Sequence, residues 1–264
     1  MDLELINELR EYGLQYIVDK YSLIVKYHNT WPNLVLLKYS QVETNLKYKA
    51  ARQARGIILD TENDWRVVAY PYDKFFNHGE PLAADIDWST AAIYEKLDGT
   101  LCTLYWYNNQ WNVATPGSPD ASGVCNNGKT TFADLFWKTF YELDYKLPED
   151  TKLCYMFELM TSDNEIVVKH SRPRLVLHGI RDISHYPYLE QSPTLDYRLK
   201  YNWEVVRKFD KTSSLEELLT VVKNIDGTTQ EGFVVRDASF NRLKVKAPTY
   251  VELHYFANNF SDKR

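Results

Sequence analysis

Apolar residues along this chain fall mostly in short runs with β-branched and aromatic members, and recur at helical spacing in only a few stretches. Leu3, Ile6 and Leu9, with polar residues between them, predict a short amphipathic helix stopped by Gly13. Phe132, Leu135, Phe136, Phe140 and Leu143 predict a second helix over 131–143, capped by Thr131 with Asp134 completing a capping box. Leu215, Leu218, Leu219 and Val222 predict a third that runs to about Asn224, with Ser213 and Glu216 as its capping box. The strand-like runs are Leu34–Leu37 after the Trp31-Pro32 turn, Gly56–Leu59, Trp65–Tyr70 after a turn at 62–64, and Leu153–Met160. Further strands are predicted at Ile166–Val168, Leu175–Arg181, Glu231–Val235 and Leu243–Pro248, the Glu231 strand following a turn at Asp226-Gly227. Leu101–Tyr107 and Trp111–Ala114 read as a hairpin about Asn108-Asn109. Between Ile17 and Tyr39, outside the Leu34 run, no single period stands out.

This order, strands dominant and helices few, predicts an α+β fold, and 264 residues suffice for a sizeable core. The expected organisation is an N-terminal helix and strand addition over residues 1–50, packed on a main domain over 51–264. Hydrophobic residues at 44% and charged residues at 25% are ordinary globular values, which sets disorder aside. A net charge of -5 argues against non-specific coating of nucleic acid, although a groove lined locally by cations remains compatible with it. Three cysteines without Cys-x-x-Cys spacing suggest neither a disulfide framework nor a zinc site, and six histidines show no metal-ligand spacing. The acidic N-terminus lacks the order of a signal peptide and no apolar run approaches a membrane span, so a soluble, cytoplasmic protein is expected.

Chemistry concentrates at Glu95-Lys96-Leu97-Asp98-Gly99-Thr100, between two strand-like runs. A lysine held near further cations loses its proton more readily, and the resulting amine can attack phosphorus or a carbonyl. The Lys-x-Asp-Gly spacing alone arises by chance in roughly one chain in twenty of this length, so its weight depends on partners elsewhere. Several candidates exist. Glu158 is a carboxylate within an apolar strand, and such a group needs a cation or a ligand hydroxyl. Lys244 and Lys246 share one strand face by the two-residue period, an arrangement suited to an anion or to solvent. Arg55 ends the basic run 47–55, and Lys74 precedes the aromatic pair Phe75-Phe76, which cannot both face the same side of an extended chain. A further basic turn holds Lys169, His170, Arg172 and Arg174.

Taken in order, Arg55-Gly56, Lys74–Asn77, Glu95–Thr100, Phe157-Glu158, Asn164–Val168, Glu231-Gly232 and Lys244-Val245-Lys246 resemble the motif series of covalent nucleotidyltransferases, and within it the phage-type RNA ligase 1 family. The resemblance runs from Arg55 to about His254. It implies an antiparallel-β-rich nucleotidyltransferase domain, ATP-grasp-like, with flanking helices. It also implies that Lys96 attacks the α-phosphorus of ATP, carries AMP as a lysyl-AMP phosphoramidate, and passes it to an RNA 5′-phosphate that a 3′-hydroxyl then joins. Lys244 and Lys246 correspond to the cations on the α-phosphate and to the positive neighbours of Lys96. By the same resemblance Asp98 and Glu231 are metal donors for Mg²⁺ or Mn²⁺, Glu158 holds the ribose, Phe76 stacks on adenine, Arg55 and Lys74 contact phosphates, and Tyr39 borders the pocket. The implied partner is RNA with 5′-phosphate and 3′-hydroxyl ends, nicked tRNA among the candidates, acted on by a monomer in RNA repair or tRNA processing.

Two departures are visible. Pro116, in Thr115-Pro116-Gly117-Ser118, stands where the family usually has a basic residue, and the sequence after Lys246 leaves no room for the family's helical C-terminal domain. Capping guanylyltransferases that use GTP share the lysine series, and a catalytically silent RNA-binding module could share the fold. Retention of Lys96, Glu231, Lys244 and Lys246 argues against the silent module.

Overall fold

The computed structural model describes residues 1–209 and 212–261. Its elements in chain order begin with α1 (Glu4–Tyr12), α2 (Leu14–Tyr21), β1 (Leu23–Tyr27), β2 (Leu34–Tyr39), α3 (Lys49–Gln53), β3 (Arg55–Asp60) and β4 (Arg66–Ala69). Then come β5 (Phe76–Asn77), β6 (Ala92–Lys96), β7 (Thr100–Tyr107), β8 (Gln110–Ala114), α4 (Phe132–Glu142), β9 (Leu153–Met160), β10 (Arg174–Asp182) and β11 (Glu190–Gln191). The last are α5 (Asp196–Tyr201), β12 (Glu204–Val205), β13 (Lys208–Phe209), α6 (Leu215–Val222), β14 (Gly232–Arg236), β15 (Arg242–Lys246) and α7 (Pro248–Ser261). The α+β class expected from the patterning is what forms. The chain divides into two compact units, one of Met1–Lys74, Leu101–Phe157 and Leu175–Val205, the other of Phe75–Thr100, Glu158–Arg174 and Val206–Arg264.

The first unit contains the antiparallel sheet β1-β2-β3-β4 and most of a sheet ordered β11-β10-β9-β7-β8. A boundary at residue 50 falls inside the four-stranded sheet, because β2 pairs along its length with β3 on the other side of it. Leu34–Leu37 and Ile57–Leu59 are fully buried, as continuous apolar runs require. The β7–β8 hairpin turns on Asn108 and Asn109, both left-handed at φ 52° and 58°, a conformation that asparagine tolerates. Thr131 caps α4, its hydroxyl accepting the Asp134 N–H at 3.1 Å. The aperiodic stretch after Ile17 forms the rest of α2 and then β1, separated by Ser22 in a left-handed cap at φ 54°.

The second unit is built on a five-stranded sheet ordered β13-β6-β14-β15-β5. Alternation along these strands sends Ile93, Phe233, Val235, Leu243 and Val245 to one face, where they pack with Leu218 and Val222 of α6, Val168, and Tyr250 of α7. The other periodic position puts Tyr94, Lys96, Val234, Lys244 and Lys246 together on the opposite face.

Two expectations change here. Ile166–Val168 forms no strand; it follows a short 3-10 turn at Ser162–Asn164, and its amides bond a carboxylate rather than a neighbouring strand. The cap of α6 is Ser214 rather than Ser213, with the Glu217 carboxylate accepting the Ser213 N–H at 2.7 Å. Residues after Lys246 form α7, which begins with Pro248 at its first position, where the missing N–H costs nothing. Among the described residues no helix is long and apolar enough to cross a membrane.

Candidate active site

Register in the five-stranded sheet brings the site together. Lys96, the last residue of β6, pairs with Gly232, and Gly232 pairs with Lys246 on the far side, so both lysines stand on one face across a glycine. A Cβ on Gly232 would lie 2.2 Å from the Val245 carbonyl oxygen and 2.8 Å from Lys246 Cα, and its φ of +146° disfavours any side chain. Glycine therefore permits the close approach of β15. Glu231, immediately before it, is 4% exposed, and its Oε1 lies 3.0 Å from Lys96 Nζ and 3.7 Å from Lys246 Nζ.

The expected crowd of bare cations is thus interleaved with a carboxylate. Burial pushes the Glu231 carboxyl up, while Lys96 and Lys246 pull it down. Lys244 is buried on the same face, with Nζ 5.0 Å from the Phe75 ring centroid, a cation–π distance. Of the aromatic pair, Phe76 is the inward ring, buried in β5 beside β15, and Phe75 is half-buried.

Asp98, expected as a metal donor, makes three hydrogen bonds within the chain. It is 5% exposed; its Oδ2 accepts the N–H groups of Val167 and Val168 at 3.0 and 2.8 Å, and its Oδ1 accepts the Tyr250 hydroxyl at 2.7 Å. Burial pushes the Tyr250 phenol up, which keeps it a donor. These bonds tie the loop after β9 and the first turn of α7 to the turn that follows Lys96. Gly99 completes this corner: its N–H donates to Glu158 Oε1 at 3.2 Å, and a Cβ there would lie 2.4 Å from the Leu159 carbonyl oxygen. Glu158, the carboxylate expected inside β9, is half-buried and adjoins the nucleophile loop.

A cavity of about 160 Å³ opens beside Lys96, lined by Glu95, Asp98, Lys169, His170, Arg174 and Glu231 among others. Among the described residues no group of three or more His, Cys, Asp or Glu side chains is arranged to hold a metal ion. Asp98 Oδ1 accepts a single donor and Glu231 is paired with two lysines, so both carboxylates keep acceptor capacity, and the pair fits a divalent cation bound chiefly through a ligand's own phosphates.

Tyr39, Arg55 and Lys74 belong to the first unit. There Lys74 Nζ lies 5.4 Å from the Tyr39 ring centroid, and Arg55 opens β3 opposite Lys38. Pro116 sits in a tight turn closed by Thr115 and Ser118, with its Cα 3.7 Å from where a Cβ on Gly56 would be. Tyr250 was not singled out from the sequence, and Asn164 entered only as the first residue of the Asn164–Val168 motif. Asn164 donates to the Thr100 hydroxyl at 3.0 Å and to the Leu159 carbonyl at 2.7 Å, and Thr161-x-x-Asn164 is a legible capping pattern.

The fold and the lysine–glutamate constellation define a ligase-type nucleotidyltransferase domain. An archaeal ATP-dependent RNA ligase shares the fold with a TM-score of 0.58 at 14% identity, covering 93% of this chain and 65% of that one. A family model described as RNA ligase matches residues 53–250, and the chain belongs to that family, in its phage-type branch. The RNA ligase of Rhodothermus phage RM378 is 30% identical, over 76% of this chain and 59% of that protein. RNA ligase 1 of Bacteriophage TS2126 is 28% identical, over 74% and 50% respectively. The chain therefore spans between half and three-fifths of the length of these two relatives.

Proposed function

We propose that this chain is an ATP-dependent RNA ligase whose Lys96 forms lysyl-AMP and passes the AMP to an RNA 5′-phosphate for joining to a 3′-hydroxyl. The observation that carries the reading is the triad of Lys96, Glu231 and Lys246 on one sheet face, with Lys244 two residues along the same strand. The Lys96 ammonium must lose a proton before attack, and Glu231 Oε1 at 3.0 Å is an acceptor within hydrogen-bond reach. The nitrogen lone pair then forms the N–P bond while the bond from the α-phosphorus to the bridging oxygen breaks. Pyrophosphate leaves with that electron pair, and the nitrogen sheds a second proton.

Lys246 and Lys244 neutralise charge on the α-phosphate, which matters because attack on an anionic phosphorus is governed by positioning and electrostatics. Glu158 stands next to the turn that follows Lys96, where a ribose hydroxyl would donate to it, and Phe75 provides an aromatic ring near Lys244. Mg²⁺ or Mn²⁺, entering with ATP, would supply further neutralisation of the phosphates, with Asp98 and Glu231 as the candidate protein carboxylates for it.

Whole-protein mass spectrometry tests the reading. Incubation with ATP and Mg²⁺ should add the mass of one AMP to the wild-type chain and none to Lys96→Ala, whereas GTP should add nothing. A GMP adduct would reassign the chain to guanylyl transfer, and no adduct with either nucleotide would leave an RNA-binding module.

A further inference from the structure

The basic turn after β9 has no part in the steps above, yet the fold delivers it to the nucleophile. Asp98, two residues beyond Lys96, holds the amides of Val167 and Val168, so the segment that follows them cannot drift from Lys96 without breaking two charge-assisted bonds, one of them buried. His170 reinforces the attachment, its Nε2–H donating to the Asp98 carbonyl at 3.4 Å. Lys169 is exposed, His170 and Arg174 are half-buried, and all three line the cavity of about 160 Å³ that Lys96 also lines. At roughly 30 Å³ of liquid volume per water, such a cavity has room for a tetrahedral oxyanion with part of its hydration. Within this lining Asp98 accepts three donors of the chain and Glu231 is paired with Lys96 and Lys246, while Lys169, His170 and Arg174 are the side chains that can donate to an anion.

We propose that Lys169, His170 and Arg174 form, beside Lys96, a phosphate subsite that seats the 5′-phosphate of the RNA during AMP transfer. The inference rests on the function proposed above and names the place of its second substrate. In that transfer an oxygen of the 5′-phosphate forms a bond to the AMP phosphorus as the P–Nζ bond breaks; Nζ takes that electron pair and one proton to leave as the neutral amine, and a second proton restores the ammonium. Cations at the rim hold the attacking dianion against the negative charge of the adenylate, a task of electrostatics and positioning. A phosphate in this cavity has two sources, the RNA end or the pyrophosphate of ATP, and the two are separable by step.

The test uses Lys169→Glu, an exposed position whose change leaves the fold intact, together with Arg174→Lys. Three rates are measured on the full chain: AMP attachment from ATP, release of AMP from the adduct by pyrophosphate, and transfer of AMP from the adduct to a 5′-phosphorylated oligoribonucleotide. Loss of one charge-assisted contact, about 1.5 kcal/mol or more, corresponds to about a tenfold loss. That loss is expected in transfer with Lys169→Glu, with the two ATP-side rates unchanged and a smaller loss with Arg174→Lys. An unchanged transfer rate overturns the inference while leaving the ligase reading in place. Equal losses in attachment and pyrophosphate release also overturn it, assigning the subsite to ATP. Failure of the wild-type chain to acquire AMP overturns the ligase reading and the inference with it.

Discussion

Asp98 separates two physical roles that its sequence position leaves equivalent. As the fold has it, truncation to alanine strands the Val168 amide, the Tyr250 hydroxyl and the Val167 amide, the first two on fully buried residues. Each stranded buried donor costs about 1–3 kcal/mol, so the two buried ones alone put the loss for Asp98→Ala at about 2–6 kcal/mol, a large part of the roughly 5–15 kcal/mol that holds a typical domain folded. Asp98→Asn keeps one carbonyl oxygen, enough for one side of the arrangement but not both, and should lose about half as much. The assay is urea denaturation without nucleotide and with divalent cations chelated. Under those conditions a residue whose only task is metal binding contributes nothing favourable, and its removal leaves stability equal or higher because Glu231 loses a like-charged neighbour. An Asp98→Asn midpoint at or above the wild-type value would refute the assignment of Asp98 as the tie between the Lys96 loop, the loop after β9 and α7.

Two further expectations follow from the same corner of the fold. Gly232→Ala places a Cβ 2.2 Å from the Val245 carbonyl oxygen at a φ of +146°, so it should cost more than about 1 kcal/mol in urea and slow AMP attachment by separating Lys246 from Glu231. Full stability and an unchanged attachment rate would contradict this account of the glycine. Burial raises the Glu231 carboxyl despite its lysine partners, so the folded chain holds that proton more tightly than the unfolded chain does. Its contribution to stability therefore falls as pH rises through the window that opens at the ordinary glutamate value of about 4.3. Glu231→Gln removes the titration, and its urea midpoint should decline less than the wild type's across that window; parallel declines would count against the assignment.

Much of this was legible in the chain itself. The two-residue period of Leu243–Lys246 places Lys244 and Lys246 on a common face before any partner strand is known, because strand side chains must alternate. Thr131 announces the start of α4, and the apolar run at Leu153–Met160 announces a buried strand with Glu158 inside it, since local geometry and burial fix both. Other features depend on pairings between distant segments. Glu231 stands between Lys96 and Lys246 because the β6–β14–β15 register sets Gly232 against both lysines, and register is chosen by the packing of the whole apolar face rather than by any one strand. Ile166–Val168 has the composition of a strand, yet its amides bond a carboxylate 69 and 70 residues earlier in the chain, and that carboxylate meets a hydroxyl 152 residues later. Residue types declare what a group can donate or accept; only closure of those long loops in the folded chain decides which donor meets which acceptor.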